Sequence, residues 1–208
     1  MRRRRLRPQP RGVRGDPPRR EGARPQPQRP SLQLQLTGAV VLTERLRLRP
    51  PEPGDVDAFH AWASDPRMME HMGRGPWSRA EVEEGMERWL AHWREHGFGV
   101  WIAEDRAGGE PVGRCGLSYH RAWPDDPEAG WWIAPEWQGR GLATEAGRAS
   151  VAYAFDTLGV DRVVSICIEE NVASRRVMAK LGFEKLTEVV SPLWPELVLW
   201  IHALSRQP

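Results

Sequence analysis

Cysteine is scarce in this chain of 208 residues, represented by Cys115 and Cys167 alone. Both fall in strand-like runs where a small buried thiol is the default, so no disulfide framework is expected and a cytoplasmic setting is. Long apolar runs are missing as well. Nothing approaches the ~18 uninterrupted apolar residues of a membrane helix, and no apolar stretch follows the amino-terminal arginines as a secretory leader requires. The six histidines show no metal-ligand spacing, and no Cys/His cluster exists. No metal is expected.

What the chain has in excess is arginine, placed unevenly. Residues 1–36 carry eleven arginines against Asp16 and Glu21, a net of +9, together with seven of the nineteen prolines. The overall charge of +2 therefore averages a basic arm with an acidic body of −7. Lacking an apolar stripe, the arm cannot offset its ordering entropy by burial, so disorder is expected over residues 1–38, ahead of one domain at 39–206. Two readings of the arm stay open. It has no catalytic role, as a linker or as translated sequence upstream of a start at Val40 or Val41, or it makes weak, salt-dependent contacts with the phosphates of RNA or the ribosome.

Strand-type patterns lie near 42–49, 99–104, 111–119, 128–133, 162–168, 183–190 and 196–203, and helical periodicity fills 54–64, 78–96, 141–158 and 172–181. Ser78 and Glu81 form a capping box that opens the longest helix, and Gly108-Gly109 reads as a tight hairpin. The order predicts an α/β domain: a mixed, mostly antiparallel sheet of about seven strands flanked by about four helices. Strands 128–133 and 162–168 must run parallel, because a helix crosses between them.

The richest segment is residues 138–146, Gln-Gly-Arg-Gly-Leu-Ala-Thr-Glu-Ala, set between a strand and an amphipathic helix. Two glycines let the backbone approach a ligand, and the first N–H groups of the helix lack partners at the positive end of its dipole. An anion, most naturally a diphosphate, belongs there. A P-loop is excluded because Leu142 and Ala143 stand where Lys and Ser/Thr are required. A dinucleotide fingerprint fails too, since Thr144 replaces the third small residue and Asp161 opens its strand instead of closing it.

The remaining pattern, Gln-x-x-Gly-x-Ala in Gln138, Gly141 and Ala143, resembles the pyrophosphate motif of the GNAT N-acetyltransferase superfamily. A second block, Asn171-Val172-Ala173-Ser174 followed by Leu181-Gly182-Phe183, is similar to that superfamily's second cofactor motif, in the same order and spacing. Leu42-Thr43-Glu44-Arg45-Leu46-Arg47-Leu48-Arg49, Gly97-Phe98-Gly99-Val100-Trp101 and Gly113-Arg114-Cys115-Gly116-Leu117 resemble its RimJ/RimL-like branch, the ribosomal-protein-alanine acetyltransferases. The resemblance spans about residues 40–205.

It implies acetyl-CoA as donor and a primary amine as acceptor, either a protein amino terminus or a small molecule, joined by direct attack in a ternary complex of a monomer or homodimer. Cofactor contacts are then expected from Trp132, Ile133, Gln138, Gly139, Arg140, Gly141, Leu142, Ala143, Thr144, Asn171 and Ser174, with parallel strands that splay to admit pantetheine. Glu128 is the expected base, with His120 as runner-up. The Tyr that many relatives place seven residues after the motif Asn is here Met178, so Ser174 takes the role of hydrogen-bonding the departing thiolate. Oxyanion stabilisation is assigned to backbone N–H groups of 131–133. Asn171 reads equally well as a helix N-cap. Trp62, Trp77, Trp89 and Trp93 read mainly as core, with one or two available to line the amine pocket. A competing reading is a catalytically vestigial CoA binder whose arm engages RNA or the ribosome.

Overall fold

The structure, a computed structural model, describes residues 40–72 and 75–207. The disorder expected of the arm lies outside the described residues. The first strands are β1 (Val41–Leu42) and β2 (Leu46–Arg49), followed by α1 (Val56–Ala63), α2 (Pro66–Met69) and α3 (Arg79–His96). Next come β3 (Val100–Asp105), β4 (Pro111–His120), β5 (Trp123–Ile133), α4 (Leu142–Asp156), β6 (Arg162–Ile168), α5 (Val172–Leu181), β7 (Glu184–Val190) and β8 (Val198–Ser205).

Two departures from the sequence pattern have local causes. The run at 42–49 is broken because Thr43 captures its own neighbourhood: the Leu46 N–H donates to Thr43 Oγ1 at 2.9 Å, and the Thr43 N–H to the Leu46 carbonyl at 2.9 Å. A side chain here outcompetes the ladder. The extra helix α2 is a single turn, with Pro66 in its first turn and Asp65 accepting from the Arg67 N–H. The predicted capping box holds: Ser78 N–H reaches Glu81 Oε2 at 2.8 Å, and α3 ends on Gly97 at φ 73°.

The described strands form one sheet in the order β1-β2-β3-β4-β5-β6-β8-β7. Every pairing is antiparallel except β5 with β6, which α4 connects. Leu142 and Ala146 of α4 pack on one face against Leu46, Leu48, Trp101 and Cys115. On the other, Phe59 and Trp62 of α1 and Val82 and Met86 of α3 cluster with Ala134 and the indole of Trp132. Trp101 is fully buried, which stabilises the fold by on the order of 3 kcal/mol. Among the described residues no helix is long and apolar enough to cross a membrane.

Candidate active site

Proline decides where the parallel strands meet. Pro124 and Pro127 cannot donate to a ladder, and the β4–β5 register slips between Ser118 and His120, opposite that stretch. Regular pairing starts at Glu128, opposite Ser118, and Glu128 with Val164 is also the sole register pair between β5 and β6. Two side-chain links reinforce that end. Arg162 pairs with Asp126 at 2.7 Å, and Ser165 Oγ donates to the Ala129 carbonyl at 2.8 Å. Beyond Ala129 the strands part, and β5 keeps β4 on one side with no strand on the other.

A cavity of about 240 Å³ opens at this fork. Strand alternation brings Arg114, Gly116 and Ser118 of β4 to the same face as Trp132, Gly130 and Glu128 of β5, in that cross-strand order. All six line the cavity. Its floor is thus a pair of facing glycines, with Arg114 and Trp132 at one end and Ser118 and Glu128 at the other. The glycines differ in kind. A methyl at Gly130 would meet nothing within 4 Å, whereas one at Gly116, at φ 135°, would lie 2.4 Å from the Gly99 carbonyl.

Burial drives the Glu128 pKa upward from the ordinary carboxylate value, against the charges of His120 and Arg114 and the N–H of Ile166. That combination makes a carboxylate more basic while keeping it open to the cavity. His120 also lines the cavity, yet its Nδ1 accepts the Ala122 N–H at 3.1 Å and so serves the turn that follows β4. At the Arg114 end, the guanidinium lies over the rings of Trp132 at 4.2 Å and Trp89 at 5.1 Å. Its Nε is buried without a hydrogen-bond partner among the described residues, and desolvation draws its pKa down to about 10.

Ser174 and Asn171 reach the same cavity from the start of α5. Asn171 Oδ1 accepts the Ser174 N–H at 2.9 Å, so the N-cap role is realised. Met178, seven residues after Asn171, is sealed in the core with Phe98 and Leu117.

The glycine-rich turn follows β5 at its other end. Gly139 (φ 74°) and Gly141 (φ 82°) take the left-handed conformation, and residues 138–141 are all exposed. The first turn bond of α4 runs from Glu145 N–H to the Gly141 carbonyl, leaving the preceding N–H groups of Leu142, Ala143 and Thr144 at the open end of the helix. This is a cradle that a diphosphate fits. Its side chains, however, work behind it. Gln138 donates to the Ile133 carbonyl at 2.9 Å, Arg140 folds back over Trp137 and onto the Glu136 carbonyl, and the Leu142 and Ile133 side chains are core. These four contribute shape and backbone rather than an outward side chain.

Sequence reading missed the brace of this cradle. Glu145 Oε1 accepts from Thr43 Oγ1 at 2.6 Å and from the Arg45 N–H at 2.8 Å, and Arg45 pairs with Glu145 Oε2 while donating to the Arg140 carbonyl at 2.8 Å. Burial works against the ionised Glu145, yet these bonds outweigh it and hold its pKa low. The signal was a polar Thr-Glu-Arg interruption inside an otherwise alternating strand. Arg114 was missed also, for the run Gly113 to Leu117 reads in sequence only as a likeness to a family branch, and nothing in it points to a cavity. The four tryptophans read mainly as core are core: Trp93 belongs to the α4-side cluster, and Trp62, Trp77 and Trp89 to the cluster of α1 and α3, while the indoles lining the cavity are Trp131, Trp132 and Trp194. Among the described residues no cluster of His, Cys, Asp or Glu is placed to hold a metal.

Residues 45–184 match the sequence model of the family described as an acetyltransferase (GNAT) domain. The N-acetyltransferase YnaD of Bacillus subtilis, itself uncharacterised, is 27% identical over 145 residues, covering 70% of this chain and 82% of the relative. The spermidine N(1)-acetyltransferase of Escherichia coli is 27% identical over 139 residues, covering 66% of this chain and 72% of that protein. Among solved structures, an acetyltransferase from Agrobacterium tumefaciens superposes with a TM-score of 0.68 at 28% identity, covering 78% of this chain and 93% of the other. With the family matched across most of the domain and a sheet forked between β5 and β6, this chain belongs to the GNAT acetyltransferases and is an acetyl-CoA-dependent N-acetyltransferase.

Proposed function

We propose that this enzyme acetylates a primary amine, protein amino terminus or small molecule, by direct attack within a ternary complex, with Glu128 as general base and Ser174 as hydrogen-bond donor to the leaving sulfur. The observation that carries the reading is that Glu128 and Ser174, 46 residues apart in sequence, line one cavity at the fork between β5 and β6. Acetyl-CoA supplies an activated acyl group. The protein's part is to hold and deprotonate. Gly139, Arg140, Gly141, Leu142, Ala143 and Thr144 present backbone to the diphosphate, with Gln138 shaping the turn and Asn171 holding the start of α5. Desolvation raises the basicity of Glu128 toward an incoming ammonium. The edge of β5 at 131–133, including Trp132 and Ile133, lies unpaired toward β6 and is where backbone N–H groups meet negative charge developing on the carbonyl oxygen.

The opening strand and the two glycine-bearing strands support the RimJ/RimL-like branch. A vestigial role gains no support, since the residues proposed as base, donor and cradle are all present in the chain. Contact of the arm with nucleic acid rests on its net charge of +9 alone.

Steady-state kinetics from pH 6 to 10 test the assignment. Glu128→Gln is expected to lower turnover ~10²-fold at neutral pH, with partial recovery in alkali as free amine becomes abundant. Wild type should lose activity on acidification through a group titrating above the ordinary carboxylate range, and that limb should vanish in the variant. Ser174→Ala should lower turnover by less, because water replaces the hydroxyl, with acetyl-CoA affinity unchanged. Wild-type turnover in Glu128→Gln would overturn the base assignment.

A further inference from the structure

The chemistry above leaves one buried charge at the cavity without a task. Arg114 sits opposite Trp132, at the far end of the glycine floor from Glu128. Stacking on Trp132 and Trp89 engages the face of its guanidinium, which leaves the in-plane N–H donors for something else. Among the described residues nothing accepts from the Nε–H, which is buried. A buried donor left unmade is costly, and the guanidinium that carries it lines the cavity.

Resting on the reading of this cavity as the acceptor site, we propose that Arg114 anchors an oxyanion of the acceptor, so that the substrate is an amine that also carries a carboxylate. The planar fork of an arginine matches a carboxylate in two parallel hydrogen bonds, and the two indoles preset its plane. The ends of the slot then divide the substrate: ammonium toward Glu128, carboxylate toward Arg114, with the body of the molecule over Gly116 and Gly130. The same inventory disfavours a polycation. Glu128 is the one carboxylate among the described residues lining the cavity, beside Arg114, His71 and His120, so a second and third ammonium would find no counter-charge.

Trp132 lies four positions along β5 from Glu128, roughly 13 Å between Cα atoms, and both the glutamate and the arginine side chains shorten the gap. Acceptor length is therefore a measurable variable. Full-length protein would be assayed for free-thiol release from acetyl-CoA with the twenty amino acids, with ω-amino acids from glycine to 6-aminohexanoate, with the amide and the carboxyl-free amine of each, and with spermidine. Carboxylate members are expected to exceed their amide and amine partners at least ~10-fold in kcat/KM, with one preferred length. Arg114→Gln should erase that ratio, through KM, while the stabilisation of the protein by acetyl-CoA persists, and Arg114→Lys should restore part of it. Gly130→Ala, which adds a methyl where nothing lies within 4 Å, should shift the preferred length without unfolding the protein. Equal or faster turnover of amides, amines or spermidine in wild type would overturn the inference, whether or not Arg114→Gln folds. So would a carboxylate preference that survives in Arg114→Gln, or loss of acetyl-CoA stabilisation in it, which would place the guanidinium on the donor side. Silence with every amine would instead overturn the acceptor reading beneath it.

Discussion

The glycine turn proposed to hold the diphosphate follows the end of β5, the glycine-floored slot runs along the strand before it, and the two are made of different material. The cradle is exposed main chain: left-handed glycines and helix N–H groups, with Gln138, Arg45 and Glu145 bracing it from behind. The slot is the reverse, bare main chain for a floor and side chains for its ends. A backbone surface reads charge and spacing, which every molecule of a common donor shares. Side chains read shape and the placement of charge, which differ from one acceptor to the next. Constancy is therefore built into the peptide and selectivity into residues that a single substitution can change.

This contrast can be broken most severely at its floor. Gly116→Ala should cost several kcal/mol and most of the folded yield, since its methyl would press on the Gly99 carbonyl at 2.4 Å with φ at 135°. Gly130→Ala across the strand should leave the denaturation midpoint within about 0.5 kcal/mol of wild type. Equal losses for the two would refute the geometry of the floor. At the cradle, acetyl-CoA at ~100 times its dissociation constant should stabilise wild type by about 2.7 kcal/mol, and Gly141→Val, strained at φ 82°, should remove most of that shift in a thermal melt. Undiminished stabilisation would mean the diphosphate sits elsewhere.

Smaller effects separate the brace from the base. The depressed pKa of Glu145 means that it contributes stability above the unfolded carboxylate range and loses it as pH falls. Glu145→Gln should thus weaken acetyl-CoA binding by about 1 kcal/mol at neutral pH and narrow its gap from wild type in acid, read by calorimetry. Glu128 has the opposite sign. Its raised pKa makes the folded state bind a proton more tightly than the unfolded chain, so its ionisation opposes folding as pH rises. Glu128→Gln should raise the melting temperature at neutral pH, by about 2–4 °C per kcal/mol of strain relieved, while lowering turnover ~10²-fold. A lower melting temperature would remove desolvation as the source of its basicity.

The cradle was legible in sequence because it is local: Gly139, Gly141 and the start of α4 are neighbours in the chain, and their physics does not need the rest of the fold. The order of strands and the parallel crossing were legible for a related reason, being fixed by periodicity and by the helix that joins them. What sequence could not place depends on register. Gly116 faces Gly130, and Arg114 faces Trp132, only because two prolines set where pairing restarts at Glu128. Likewise, Thr43 and Arg45 meet Glu145 across a hundred residues, and no pattern in the opening strand announces that partner. The tryptophans carry the same lesson, since spacing says that an indole is buried, as Trp62 and Trp93 are, but not which cavity it borders.

The single residue pair joining β5 to β6 has a mechanical side. A sheet ordinarily resists shear through a ladder of bonds loaded together, but among the described residues one register pair, the Ser165 hydroxyl, the Arg162–Asp126 ion pair and the bond from Ile166 N–H to Glu128 are what join five strands to three. Helix α4 lies over that seam as a splint, its Ala154 packed with Leu117 and Ala129 from one side and Val163 from the other. Force applied across the strands should part the molecule along this line, and stiffness measured there is set by the helix rather than by the sheet.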